Sequence, residues 1–314
     1  MANLGYRTIH AEQKQQQWDN SVEPIMRVEP GTTVKFEDID ASSGQIEPSS
    51  TADDVRAMDL SLINPVSGPV YVEGAKPGDA LKVVMREFVS SGWAWTAIVP
   101  GFGLLAEDFP DPGLHIWRYD TDFRSPAAFG GMARVPLKPF CGTVGLAPAA
   151  PGQHSTIPPR RVGGNMDIRD VSLDVELYLP VEVEGALFSL GDTHAAQGDG
   201  EVCGTAIESP MSVTVELDLV KDGGGRTPRF ATDRPVSRHL DAKGYDVTMG
   251  IEPDLMEAAK NAVRNMIDFL GKTRNMSAED AYMLCSVCAD MRISEIVDQP
   301  NWIVSCYLPR VVFD

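Results

Sequence analysis

The sequence has no run of about 18 apolar residues, so no membrane-spanning helix is expected. Its longest apolar-rich stretch, Trp93 to Ala106, is broken by Pro100, Gly101 and Gly103. The N-terminal stretch has neither an apolar core nor a cleavage site of the secretory type, so no leader peptide is expected. Cysteine is scarce. Five residues, an odd number without regular spacing, exclude a disulfide framework and suit the reducing cytoplasm. Basic residues are outnumbered, 27 Lys and Arg against 45 Asp and Glu, for a formal charge of −18. That balance excludes the basic face that nucleic acid requires and disfavours anionic membrane surfaces. No G-x-S-x-G elbow, H-E-x-x-H helix, Walker loop or dinucleotide fingerprint occurs, and no repeat of solenoid period is visible.

What is present is a chain of 314 residues, 43% hydrophobic and 23% charged, long enough to bury a large core without staples. The 28 glycines and 23 prolines indicate many turns and short strands. Thr32–Phe36 and Leu81–Val89 read as strands between turn signals, and Asp40 to Asp59 as a long polar surface loop. Phe140 to Asp170 carries Pro148, Pro151, Pro158 and Pro159, then Gly163-Gly164, and reads as a chain of turns with no central strand. Beyond it, Ser172–Leu179 and Met211–Val220 alternate as half-buried antiparallel strands, Val213, Val215, Leu217 and Leu219 facing inward. Leu255, Met256, Ala259, Val263, Met266, Ile267 and Leu270 form a helical stripe, with Pro253 in the first turn and Gly271 at the stop. A second helix starts at a Ser277 cap and runs to about Ala289, and Ile303–Leu308 is a terminal strand. The expected fold is mostly β (α+β), with sandwich or barrel-like sheets and a C-terminal helical hairpin. It is read as one unit over 1–314, with two β subdomains dividing near 140–170 as an open alternative and the helical part at 252–290.

The densest polar segment runs from Gly191 to Gly204, after the apolar strand Ala186–Leu190. Asp192 and His194 are two apart, so on an extended backbone they point the same way and can offer a carboxylate and an imidazole to one metal ion. Gly198-Asp199-Gly200 permits a reversal that brings Glu201 back on a return strand beside His194. A second cluster, Gly163-Gly164-Asn165-Met166-Asp167, repeats the two-residue spacing. Asn165 can donate to and accept from an amide, and Asp167 can ligate metal or orient His194. Against this stands the plain reading: a His at a strand end is commonly structural, Asp199 is a turn residue, and Glu201 can be a solvated edge. Cys285 and Cys288 form a CxxC inside a helical pattern, which reads as core packing. Cys203 shares a face with Glu201, as a structural cysteine or a nucleophile. His10, His115, His154 and His239 lie in separate segments, and any of them can reach the site in space.

These segments resemble the acetamidase/formamidase family. The resemblance rests on Gly163-Gly164-Asn165-Met166-Asp167, on Gly191 to Glu208, on Pro139-Phe140-Cys141-Gly142-Thr143-Val144-Gly145, on Met249 to Leu255, on Glu279 to Tyr282 through Arg292-Ile293-Ser294, and on Trp18-Asp19-Asn20. It spans nearly the whole chain. It implies hydrolysis of small amides or lactams, a bound divalent metal and a homo-oligomer, read as a dimer or tetramer. One position departs: Gln15 stands where the family commonly has a His. The chemistry expected is hydrolysis of a small aliphatic amide by a metal-activated water. Asp192, His194 and Asp167 hold the metal, zinc before calcium. Glu201 is the general base and then the acid at the leaving nitrogen. Asn165 stabilises the oxyanion, and Gln197 reads the substrate amide. Two alternatives stay open: a cyclic-amide or lactam hydrolase with Cys203 as nucleophile, and a non-catalytic β protein that binds calcium through its Asp-rich turns.

Overall fold

The structure is a computed structural model and describes residues 7–313. Two six-stranded sheets pack face to face. The first runs, in spatial order, Arg7–Ile9, Thr32–Ile39, Met211–Val220, Ala80–Ser90, Glu176–Pro180 and Arg229–Ala231. The second runs Gly163–Asn165, Phe140–Leu146, Phe188–His194, Val66–Val72 and Lys14–Gln15, with Met26–Val28 pairing in parallel to Val66–Val72. Each sheet draws strands from both sides of residues 140–170. Val34, Phe36, Leu81, Val83, Leu177, Val213, Val215 and Leu217 of the first sheet face Val70, Val72, Cys141, Val144, Leu146, Phe188 and Leu190 of the second in one buried core. Phe36 meets Phe188 edge to face across it at 5.9 Å. The strand Met211–Val220 shows why the alternation was readable: Val213, Val215 and Leu217 are fully buried, while outward Glu216 pairs with Arg86 at 2.9 Å.

The two long helices come late, as the sequence indicates. α1 (Leu255–Arg274, the first of the C-terminal pair) starts one turn-residue later than the proline suggests, because Asp254 caps it by accepting from Met256 N and Glu257 N. It passes through Gly271 and stops at Asn275, which adopts the left-handed conformation at φ 53°. α2 (Ala278–Cys288) begins as expected, with Ser277 accepting from Asp280 N. The pair packs on a three-stranded sheet, Tyr245–Glu252, Trp302–Pro309 and Asp290–Glu295, to form a second core. Gly250 permits this packing, since a Cβ there would strike the backbone of Ala258. Cys285 and Cys288 are buried in that core, and all five cysteines are free.

Three expectations are corrected. Phe140–Leu146 is a fully buried central strand, because its apolar residues precede the prolines, which occupy only the loop after it. Ser172–Leu179 is a strand only over Glu176–Pro180, since Asp174 turns the backbone to φ 62°. The polar segment 40–59 is not a bare loop: it contains a short helix at Ala52–Ala57 and buries Ile46 and Val55 against Trp95, Ala97 and Val99.

Candidate active site

The strand Phe188–His194 delivers the central imidazole. Phe140–Leu146 runs antiparallel on one side, with Phe140 opposite His194 and Thr143 opposite Gly191. On the other side the chain returns at 205–209. Ala195 N donates to Ile207 O and Ile207 N to Ala196 O, which sets Glu208 against His194. Gly163–Asn165 pairs on the far edge of Phe140–Leu146, with Asn165 opposite Thr143, and Met166 N and Asp167 N both donate to Gly142 O. Gly142 is the point of convergence. A Cβ there would lie under 3.0 Å from Asp167, Asp192 and His194 at once, so only glycine leaves room for the cluster.

Two buried carboxylates, Asp192 and Glu208, and two half-buried ones, Asp167 and Glu201, therefore surround one imidazole. His194 Nε2 lies 3.0 Å from Asp192 Oδ1 and 3.0 Å from Glu208 Oε2. Asp167, His194 and Glu201 form a second triad, as tight as that of Asp192, His194 and Glu208, with the potential ligand atoms of each triad within 4.8 Å of one another. Asp167 (φ 49°), Asp192 (φ 57°) and Glu201 (φ 43°) all occupy the left-handed region that non-glycine residues avoid. Strained backbone of this kind concentrates at functional sites, where the surrounding structure holds it in place. Asp192 and His194 converge as their spacing indicates, although through a turned backbone rather than an extended one.

The hydrogen bonds fix the imidazole's tautomer. Gln197 Nε2 donates to Asp167 O at 2.8 Å, so Gln197 Oε1 is the acceptor that faces His194 Nδ1 at 3.1 Å. Nδ1 then carries a hydrogen, and Nε2 points between two carboxylate oxygens. A proton or a metal ion must sit on Nε2, because a bare lone pair there would face two negative charges. The charges tell the same story. Burial raises Asp167 to about 7, helped by the charge of Asp192, and burial raises Glu208 to about 7 as well. Glu201 is pushed well up, by burial first and then by Asp167. Burial pulls His194 down, but Glu208 and Asp192 outweigh it and hold the imidazole well above its ordinary value. Asp167 Oδ1 is buried without a hydrogen-bond partner, and Glu208 Oε2 faces His194 Nε2. An orphaned carboxylate oxygen, a neutral-capable imidazole with its far nitrogen hydrogen-bonded, and a cradle kept open by Gly142 fit a divalent cation.

A cleft of about 400 Å³ opens above this floor. Asn165, Asp167, Asp192, Glu201 and Glu208 line its base. Thr143 Oγ1 donates to Asn165 Oδ1 at 2.6 Å, which turns the Asn165 amide nitrogen free to donate elsewhere.

The structure brings together Asp167, Asn165, Asp192, His194 and Glu201, and it corrects several assignments. Gln197 is not a substrate reader: it is buried and both ends of its amide are engaged, so it positions His194 and Asp167. Glu201 lies in a turn rather than on a return strand, and Glu208 is the return-strand partner of His194. Glu208 escaped the sequence reading because the hairpin was closed at Gly198–Gly200, which leaves position 208 too far down the chain to face His194. The Gly204 to Glu208 run was the available signal. Cys203 is fully buried against Ala97 and Thr205, and burial pushes its thiol up, so a thiolate nucleophile is disfavoured. His10 pairs with Glu37 at the surface, His115 packs on Trp117 and Phe129, and His154 contacts Ala150 O, so none of them compensates for Gln15. Gln15 itself reaches Ser189 rather than the cluster.

Comparison with known proteins places this chain among the amidases that act on C–N bonds other than peptide bonds. The chain belongs to the Acetamidase/Formamidase family, whose profile matches residues 6–155 and 149–314. It is 28% identical to a formamidase of Methylophilus methylotrophus over 95% of this chain and 88% of that one. It is 30% identical to an acetamidase of Mycolicibacterium smegmatis over 85% of this chain and 83% of that one. Among solved structures it is similar to a gamma lactamase from Delftia acidovorans (TM-score 0.87, 28% identity, 96% of this chain and 90% of that one). It is also similar to an acetamidase from Bacillus halodurans (TM-score 0.68, 31% identity, 96% of each). The non-catalytic calcium-binding reading falls with this membership. No helix among the described residues is long and apolar enough to cross a membrane.

Proposed function

We propose that this amidase hydrolyses a small neutral carboxamide to carboxylate and ammonia on the floor of the cleft, with a divalent metal, zinc before calcium, held at the carboxylate cluster. The observation that carries this reading is the single buried imidazole whose Nε2 is aimed between carboxylates at 3.0 Å while Gln197 holds its Nδ1–H. His194, Asp192 and Glu208 would hold the metal, with Asp167 beside them. When bound, the ion supplies Lewis-acid polarisation and lowers the pKa of water.

The chain's own groups do the rest. Glu201, kept protonatable by burial, takes the proton from the attacking water and returns it to the leaving nitrogen. Asn165, its oxygen engaged by Thr143, donates its amide N–H to the substrate carbonyl oxygen as negative charge develops there. The cleft walls hold the amide and exclude bulk water. A lactam ring is the second substrate shape, supported by the likeness to a gamma lactamase. Self-association as a dimer or tetramer is supported by Val247, Met249, Ile251 and Ile293, which leave the outer face of the C-terminal sheet apolar and exposed. The unpaired cysteines support a cytoplasmic setting.

Two variants separate the roles. His194→Ala should lose the metal and the activity together. Glu201→Gln should lower kcat by about 100-fold or more while leaving the metal in place. Full metal content in the first, or full activity in the second, contradicts these assignments.

A further inference from the structure

We infer that the cleft selects an uncharged amide whose acyl group is apolar and about four to eight carbons long, in preference to formamide or acetamide; this rests on the amidase reading above. Space comes first. At about 30 Å³ for a water-sized group, the four heavy atoms of acetamide fill less than half of a cleft of about 400 Å³. The chemistry of the walls comes second. Above the polar floor the cleft is lined by Met58, Leu60, Ile63, Trp95, Phe102 and Ile157. Leu60 and Phe102 are 54% and 50% exposed, large apolar side chains standing in water at the cleft. Such side chains gathered around a polar centre are the usual dress of a pocket for an apolar ligand.

Charge comes third. Among the described residues the lining holds Asp167, Asp192, Glu201 and Glu208 but no Lys, Arg or His. A carboxylate at the far end of the acyl chain would lie among the apolar side chains of the walls, away from the floor and its metal, with no cation to pair with, and would be rejected. The segment 40–64 supplies Met58, Leu60 and Ile63, and it is anchored from below by Ile46 and Val55. The wall is therefore a built part of the fold, and selectivity should follow its side chains.

The test is kcat/KM for ammonia release by the full-length protein, as purified with its metal, on formamide, acetamide, butanamide, hexanamide and adipamate (the hexanamide analogue with a terminal carboxylate). Calorimetric binding of the same amides runs beside it. Each buried methylene is worth about a factor of four, so hexanamide should exceed acetamide by on the order of 100-fold. Adipamate should fall at least about tenfold below hexanamide. Leu60→Asp, at a surface position that does not threaten folding, should cut the hexanamide-to-acetamide ratio about tenfold. A maximum at formamide or acetamide, equal use of adipamate, or an unchanged ratio in Leu60→Asp overturns the inference. Should no amide be turned over, hexanamide binding tighter than acetamide supports the apolar cleft while contradicting the amidase reading, and equal binding overturns the cleft inference as well.

Discussion

At the scale of single residues, the site depends on an absence as much as on its ligating groups. Gly142 has no side chain, and the space it leaves is where Asp167, Asp192 and His194 meet. Gly142→Ala should therefore empty the proposed metal site and cut kcat/KM by about 100-fold or more, while circular dichroism stays close to that of the parent. Parent-like metal content in this variant would show that the cluster does not need that space. Gln197 acts through the imidazole rather than on substrate, so Gln197→Ala should weaken metal affinity by about 10- to 100-fold. A titration with a competing chelator reads this directly, and an unchanged affinity removes the positioning role. His194, Asp192, Asn165, Asp167 and Glu201 were legible because they sit in two short segments where polar residues crowd between glycines. Glu208 was not, since its place opposite His194 depends on where the chain turns between them, and the left-handed backbone of Glu201 inside that turn is not revealed by any spacing rule.

At the scale of elements, the site is joined to the C-terminal unit through a buried guanidinium. Arg169 forms a two-pronged ion pair with Asp290 at the start of the strand Asp290–Glu295 and donates to Gln197 O. His239 lies beside this pair in the segment that covers it. Burial pushes His239 down to about 4, with Lys138 and Arg169 adding to the shift. The unfolded chain takes up that proton first as pH falls, because an exposed imidazole titrates near about 6.5. The contribution is thus fully present above about pH 6.5 and lost progressively down to about 4. Denaturant midpoints measured across this range should fall less steeply for His239→Gln than for the parent, and parallel profiles would remove His239 as a source of acid sensitivity. The helices show what local sequence can specify. Ser277 and Asp280 mark one start correctly, whereas α1 begins and ends on Asp254 and Asn275, whose side chain and backbone conformation override the signals of Pro253 and Gly271. Phe140–Leu146 was hidden by prolines that belong to the following loop.

At the scale of the whole molecule, the mostly-β class and its sandwich or barrel-like sheets were readable from period-two alternation, but the order of the strands within the sheets was not. Its sheets pair strands as distant as Val66–Val72 with Phe188–His194, and Thr32–Ile39 with Met211–Val220. Long-range pairing leaves no trace in local pattern. That same pairing assembles the cleft, because its floor comes from 165–208 and its apolar wall from 41–64, 95–102 and Ile157. The most direct test of the central claim is elemental analysis of the purified protein, coupled to ammonia release from a neutral amide before and after chelation. A stoichiometric divalent metal, with ammonia release lost on chelation and restored on adding the metal back, is the expected result. A metal-free protein that still releases ammonia would contradict a metal site built on His194, Asp192 and Glu208.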